Sequence, residues 1–395
     1  MHKSFPHFLF MQLRTAAVLG CVLISVRSAD AAATLNDAVS LVPTNYRHQL
    51  VQQLSLAENS QQQWLDTIAK CTPEHRAALA FLLANMPERD LKTMTGDEIL
   101  HNIDLAYTAR AASAWASAIP EEIFFNEVLP YANLNEKREN WRDDFYKRFS
   151  PLVKDCKSAD EAAQVLNHAV FKEVGVSYNA SKRKKPDQSP SESIDCHYAS
   201  CSGLSIILAD ACRSVGVPAR VTGTALWSNG SGNHTWVEIW DGQWRFTGAA
   251  EPNQFNKTWF ADLAAKADDT KVEQRIHAAS YRKTDEPFLL VWDPESKEYP
   301  AVDVTGYYVN RRKVNVNVLD KEGKPSEGTV EIRQGGVLIA QGKGPGVTFE
   351  LAADKDYAVE IVKAPGHGSA KSFHLPGDHD LDVTVGEGAA PAKAK

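Results

Sequence analysis

Between Cys201 and Thr247 the hydrophobic period changes from that of a helix to that of a strand, and this switch limits the fold more than any other feature. Cys201, Leu204, Leu208, Ala211, Cys212 and Val215 fall on one helical face. Gly216 stops that helix, and Val217-Pro218-Ala219-Arg220-Val221 opens a strand. After a polar loop from Ser228 to Asn233, the run His234-Thr235-Trp236-Val237-Glu238-Ile239-Trp240 alternates. Asp241-Gly242 then turns the chain into Gln243-Trp244-Arg245-Phe246-Thr247, a hairpin signal. A two-residue turn would pair Trp236 with Thr247, whereas a three-residue turn with Gly242 left-handed is expected to set Gly248 opposite His234. A helix feeding antiparallel strands in this way is an α+β arrangement.

The flanks differ from this centre. Residues 34–157 predict a helical N-terminal domain. Thr72-Pro73, Thr95-Gly96-Asp97-Glu98 and Pro120-Glu121-Glu122 are helix starts. Asn133 to Trp141 is polar with one aromatic and reads as an exposed helix start, with part of a substrate cleft as the alternative. The α+β core is expected over 158–300. It opens on Ser158-Ala159-Asp160-Glu161, a capping box, and carries a polar loop from 175 to 195. From 301 to 386, short alternating runs such as Val314 to Leu319 and Thr329 to Arg333 predict a small antiparallel β-sandwich. The tail 387–395 is low in complexity and reads as disordered.

The 395 residues carry a net charge of −7, which provides no electrostatic footprint for nucleic acid. The basic run Lys182 to Lys185 reads as a solvated loop. The apolar stretch from Thr15 to Val26, bracketed by Arg14 and Arg27, is shorter than the ~20 residues of a spanning helix. Followed by Ala29-Asp30-Ala31, it predicts a signal peptide over 1–31, and hence a periplasmic or secreted protein without a membrane span. Acylation at Cys21 is the competing reading, and the apolar run continuing past that residue counts against it. Cleavage would leave Cys71, Cys156, Cys196, Cys201 and Cys212, an odd set with at least one unpaired thiol. No zinc-binding spacing occurs among them, and neither a metal nor a cofactor is expected.

Cys201 begins its helix, where the positive end of the dipole favours the thiolate and unsatisfied N–H groups can hold an oxyanion. Cys212, at the far end of the same face, reads as a buried and inert thiol. His234 begins a strand beside a loop, a suitable place for a general base. Trp227, Trp236 and Trp240 read equally as walls of a cleft or as core.

Cys201 with Gly216-x-Pro218-Ala219-Arg220, and His234-x-Trp236-Val237-Glu238 with Trp244, resemble the motifs of the transglutaminase-like cysteine protein superfamily. Gly248-Ala249-Ala250-Glu251-Pro252 and Val302-Asp303-Val304-Thr305 are similar to its peptide:N-glycanase branch, and the C-terminal part looks like a carboxypeptidase-regulatory-like sandwich. The resemblance implies a papain-like core and a cysteine that attacks an amide carbonyl of a peptide, protein or glycopeptide. Hydrolysis or acyl transfer through a thioester would follow, with no cofactor. It also implies an Asp four residues after Trp244, where this chain has Gly248. Glu251 is the nearest carboxylate able to orient His234, with Asp303 and Asn253 as weaker candidates. Glu238 shares the strand face of His234 but lies roughly 13 Å along it, beyond reach. The expected catalytic set is therefore Cys201, His234 and Glu251. A degenerate scaffold or binding protein on the same core is the alternative, kept open by Gly248.

Overall fold

A computed structural model describes residues 34–252, 254–363 and 366–386. The expected signal segment with Cys21, the candidate Asn253 and the tail lie outside them.

Eight helices come first: Leu35–Ser40, Thr44–Leu56, Gln61–Lys70, Arg76–Asn85, Glu88–Thr93, Gly96–Ala111, Ala114–Ser117 and Glu121–Glu127. Thr95 and Glu98 form a complete capping box, whereas Thr72 makes no side-chain cap and leads through a single 3-10 turn, Pro73–His75, into the next helix. Trp64, Phe81 and Phe124 are fully enclosed in the core of this layer.

Asn133 to Asn140 is neither helical nor exposed throughout, contrary to expectation. The Glu136 carboxylate accepts from the amides of Asn133 (2.6 Å) and Leu134 (2.7 Å), so the polar residues are spent on closing a buried connector. The helix starts at Trp141, whose indole donates to the Tyr131 carbonyl at 2.9 Å. This stretch borders a different cavity from the one holding the cysteine.

The central sheet has six strands in the order Trp244–Thr247, His234–Trp240, Ala219–Thr224, Ile276–Ala279, Pro300–Asp303 and Glu286–Pro287, every pair antiparallel. Alternation divides its faces. Val221, Val237 and Ile239 pack on one side against helices Trp141–Val153, Ala159–Val174 and Cys201–Ser214. Trp236 and Phe246 pack on the other with Phe260 and Tyr308. Phe145 and Phe149, ahead of position 158 in the chain, join the first of these clusters and pack with the cysteine helix. Arg142 ties it to the N-terminal layer. Its guanidinium, fully desolvated and lowered to a pKa of about 9, donates to the carbonyls of Val128, Pro130 and Arg213 and to Asn102.

Three local expectations are corrected. Residues 190–196 form a helix, Pro190–Cys196, inside the stretch read as loop; Ser189 and Glu192 make its capping box and Pro190 takes the first turn. Ser158 caps its helix, but Glu161 reaches back to the Lys157 amide instead of closing the box. In the hairpin, Val237 pairs with Thr247 and Trp240 with Trp244, leaving Asp241, Gly242 and Gln243 as a three-residue turn with Gly242 at φ 76°. The paired Trp240 and Trp244 close that turn, so continuing the register sets Gly248 beside Trp236 and not His234.

The C-terminal region folds as a four-stranded and a three-stranded sheet over one core of Val314, Val316, Val330, Ile332, Val359 and Val383. It is not wholly antiparallel: Leu381–Gly386 runs parallel to Arg311–Leu319. Leu338 enters the N-terminal core, Arg333 pairs with Glu122 at 2.8 Å, and the Gln341 amide donates to the Gly242 carbonyl at 2.6 Å. No helix among the described residues is long and apolar enough to cross a membrane.

Candidate active site

Ser200 fixes the start of the cysteine helix. Its hydroxyl donates to the Pro186 carbonyl at 2.7 Å and accepts the Gly203 amide, while its carbonyl takes the Leu204 amide. Gly203 is small for a packing reason: a Cβ there would lie 3.0 Å from the Ala199 side chain. Cys201 in the first turn is half-buried; it and the other four cysteines described are all free thiols, of which Cys71 and Cys212 are buried. Burial raises the Cys212 thiol far above its ordinary range, and raises Cys71 to about 11.

The histidine strand meets this helix through the residues next in sequence to the proposed pair. Ser202 and Thr235 share a buried hydroxyl–hydroxyl hydrogen bond of 3.0 Å. Cys201, His234 and Glu251 then line one cavity of about 420 Å³, with Tyr178, Leu204, Asn233, Ala249, Ala250 and Trp259. No hydrogen bond joins the thiol to the imidazole or the imidazole to Glu251. Nε2 of His234 is buried without a partner, and so is one carboxylate oxygen of Glu251.

Aromatic rings pack around His234, with centroids of Phe260 at 4.8 Å, Trp259 at 4.9 Å and Trp236 at 5.8 Å. Desolvation by these rings lowers the imidazole pKa to about 4, so the ring is neutral at neutral pH. Trp236, Trp227 and Trp240, 0%, 3% and 2% exposed, belong to the core and do not wall the cleft. That role falls to Tyr178 and Trp259, 62% and 59% exposed. Both lie in stretches without hydrophobic periodicity, so no sequence signal marked them.

Glu251 fills the room over Gly248. A Cβ on Gly248 would lie 2.8 Å from Cδ and 3.1 Å from Cβ of Glu251, and would overlap its carboxylate outright. The other carboxylate oxygen accepts from the Trp259 indole at 2.8 Å, and burial raises the pKa of the acid. Asp303 is elsewhere: it accepts from the Thr305 amide at 2.9 Å and borders a second cavity on the sandwich side. Glu238 is committed to Arg220 (2.7 Å) and to the Tyr308 hydroxyl (2.6 Å). Arg220, of the Pro-Ala-Arg motif, stacks on Trp244 at 3.6 Å, which explains that motif as packing.

Residues 148–249 match the family model of the transglutaminase-like superfamily. This stretch is a transglutaminase-like domain, and it contains both motifs and the hairpin. No curated protein matches the chain. Among solved structures, one described as a "Putative Cysteine Protease from Cytophaga hutchinsonii" is 17% identical, with 48% of this chain and 66% of that chain covered and a TM-score of 0.28. The Bacillus anthracis TIE protein is 8% identical over 58% of this chain and 55% of its own, with a TM-score of 0.17. The chain thus spans about two thirds of the first structure's length and about half of the second's.

Proposed function

We propose that this protein is an exported cysteine-dependent acyl-transfer enzyme, an amidohydrolase, protease or acyltransferase acting on peptide, protein or glycopeptide amides. The observation that carries the reading is the single cavity shared by Cys201, His234 and Glu251. The neutral His234 takes the thiol proton as the Cys201 sulfur bonds to the amide carbonyl carbon. The Cys201 and Ser202 amides, at the start of the helix, would hold the oxyanion, since Ser200 already takes that of Gly203. The C–N bond breaks, and the amine or ammonia leaves with the proton from His234. Water or a second amine then attacks the thioester carbon and gives its proton to His234; the C–S bond breaks, the acid or new amide leaves, and the sulfur takes the proton back from His234. Glu251 accepts a hydrogen bond from the far ring nitrogen as the imidazolium forms.

The test is release of ammonia or amine from a panel of peptide and glycopeptide amides, by the wild type and by Cys201→Ala. Undiminished release by Cys201→Ala rules the mechanism out. The second reading, a catalytically degenerate scaffold, is favoured by Gly248 and by the absence of a thiol–imidazole hydrogen bond. It predicts no release and a Cys201 that iodoacetamide alkylates no faster than in the unfolded chain.

A further inference from the structure

The loop that carries Glu251 is held by one side chain the proposed mechanism does not use. Asn167 lies on the core stripe of helix Ala159–Val174, between Ala163 and Val170, and is 4% exposed. Its amide nitrogen donates to the Gly248 carbonyl (2.9 Å) and the Thr247 hydroxyl (3.2 Å), and lies 3.5 Å from the Glu251 carbonyl. Its amide oxygen accepts from the Ala250 backbone N–H at 3.0 Å. Donors on one side and an acceptor on the other fix the orientation of the amide. Every polar atom of this buried side chain is therefore spent on residues 247–251.

What it holds is strained. Ala250 has φ 62°, in the left-handed region that a residue with a Cβ adopts only when its surroundings require it. Ala249, Ala250 and Glu251 all line the cavity, so the strained turn is part of the site's wall. Asn167 itself does not line that cavity. A leucine or alanine would be the ordinary occupant of this stripe, and an asparagine needs partners there.

We infer that Asn167 is a positioning residue: it clamps the left-handed turn at Ala250 and so aims the Glu251 carboxylate into the space above Gly248, beside the histidine. The inference rests on the reading of Cys201 and His234 as a reacting pair, and it adds the element that makes a displaced carboxylate serve that pair. Without the clamp Ala250 relaxes, Glu251 swings away, and the thiol keeps a base without its orienter.

The experiment follows the rate of Cys201 alkylation by iodoacetamide, read by mass spectrometry of its peptide across pH 4–9, together with backbone hydrogen exchange of residues 247–252. In the full chain, Asn167→Ala and the isosteric Asn167→Asp, which keeps the acceptor and loses both donors, should exchange faster over that segment. Each should also alkylate about tenfold more slowly at pH 7. Combining Asn167→Ala with Glu251→Gln should add no further loss, and adding Ala250→Gly to Asn167→Ala should restore part of the rate by removing the strain. Asn133→Ala, which removes a comparable bond to Asp210 (2.9 Å), should lower the melting temperature and leave the alkylation profile unchanged. Faster exchange in Asn167→Ala with a wild-type alkylation profile would overturn the positioning role. Equal rates in wild type and His234→Ala would instead overturn the reacting pair itself, and with it the role built on that pair.

Discussion

Placing an aspartate at position 248 should damage the site, and removing Glu251 as well should repair it. The room above Gly248 is already taken: an added Cβ would stand 2.8 Å from the carboxyl carbon of Glu251, so Glu251 must leave. Its departure breaks the 2.8 Å hydrogen bond from the Trp259 indole. A bond to a charged acceptor contributes ~1.5–3 kcal/mol, and exposure of Trp259 puts this one at the lower end. Gly248 does not have a positive φ, so the backbone adds no penalty of its own. Gly248→Ala and Gly248→Asp should therefore each lose about 1–2 kcal/mol, a melting shift of a few degrees. Cys201 alkylation at pH 7 should slow by about tenfold or more in Gly248→Ala, because the imidazole loses its orienter. The double variant Gly248→Asp/Glu251→Ala returns a shorter carboxylate to the same space, and its rate should come back to within about threefold of wild type. Alkylation profiles and thermal melts of the wild type, the two Gly248 variants, Glu251→Ala and the double variant decide the matter. A double variant as slow as Glu251→Ala alone would refute the claim that Glu251 stands in for a carboxylate at 248.

Other expectations follow from the same geometry. The ordinary His pKa of 6.5 is lowered to about 4 in the folded chain, so between these values the unfolded chain binds a proton that the folded ring refuses. Stability should fall as pH drops through that window, by at most about 3 kcal/mol, and His234→Gln should flatten this part of a denaturation-versus-pH curve. Equal slopes would show that the ring is not desolvated. In native protein at pH 7.5, iodoacetamide should label Cys201 and spare Cys212 and Cys71, whose thiols burial keeps protonated; peptide mapping reads the outcome. Ser202→Ala should cost about 1–3 kcal/mol by stranding the buried Thr235 hydroxyl, and Ser202→Ala/Thr235→Val should recover most of it, as chemical denaturation would show.

The α+β core, the cysteine helix, the glycine stop at 216 and the two strands of the hairpin were legible in the chain, because period and turn chemistry are local. So were the candidates Cys201 and His234, since a helix start and a strand start are positions a motif can specify. The same local rules failed where polar residues have distant partners. Asn133 to Asn140 looked solvated, and it is closed by Glu136 and by Asp210 of the cysteine helix. The three tryptophans near the histidine read equally as cleft walls or core; packing puts them in the core, while the short strand Ser177–Tyr178 and the loop of Trp259 supply the walls of the opening.

Sequence by itself determined the cysteine helix, its glycine stop, the hairpin strands and which side chains can do nucleophilic chemistry, because those depend on spacing along the chain and on side-chain type. Tertiary structure alone decided that Glu251 fills the room over Gly248, that Asn167 grips the turn beneath it, and that His234 stays neutral among aromatic rings. Desolvation and hydrogen-bond geometry are set by groups remote in the chain, and their effect exists only once packing has brought them within a few ångströms.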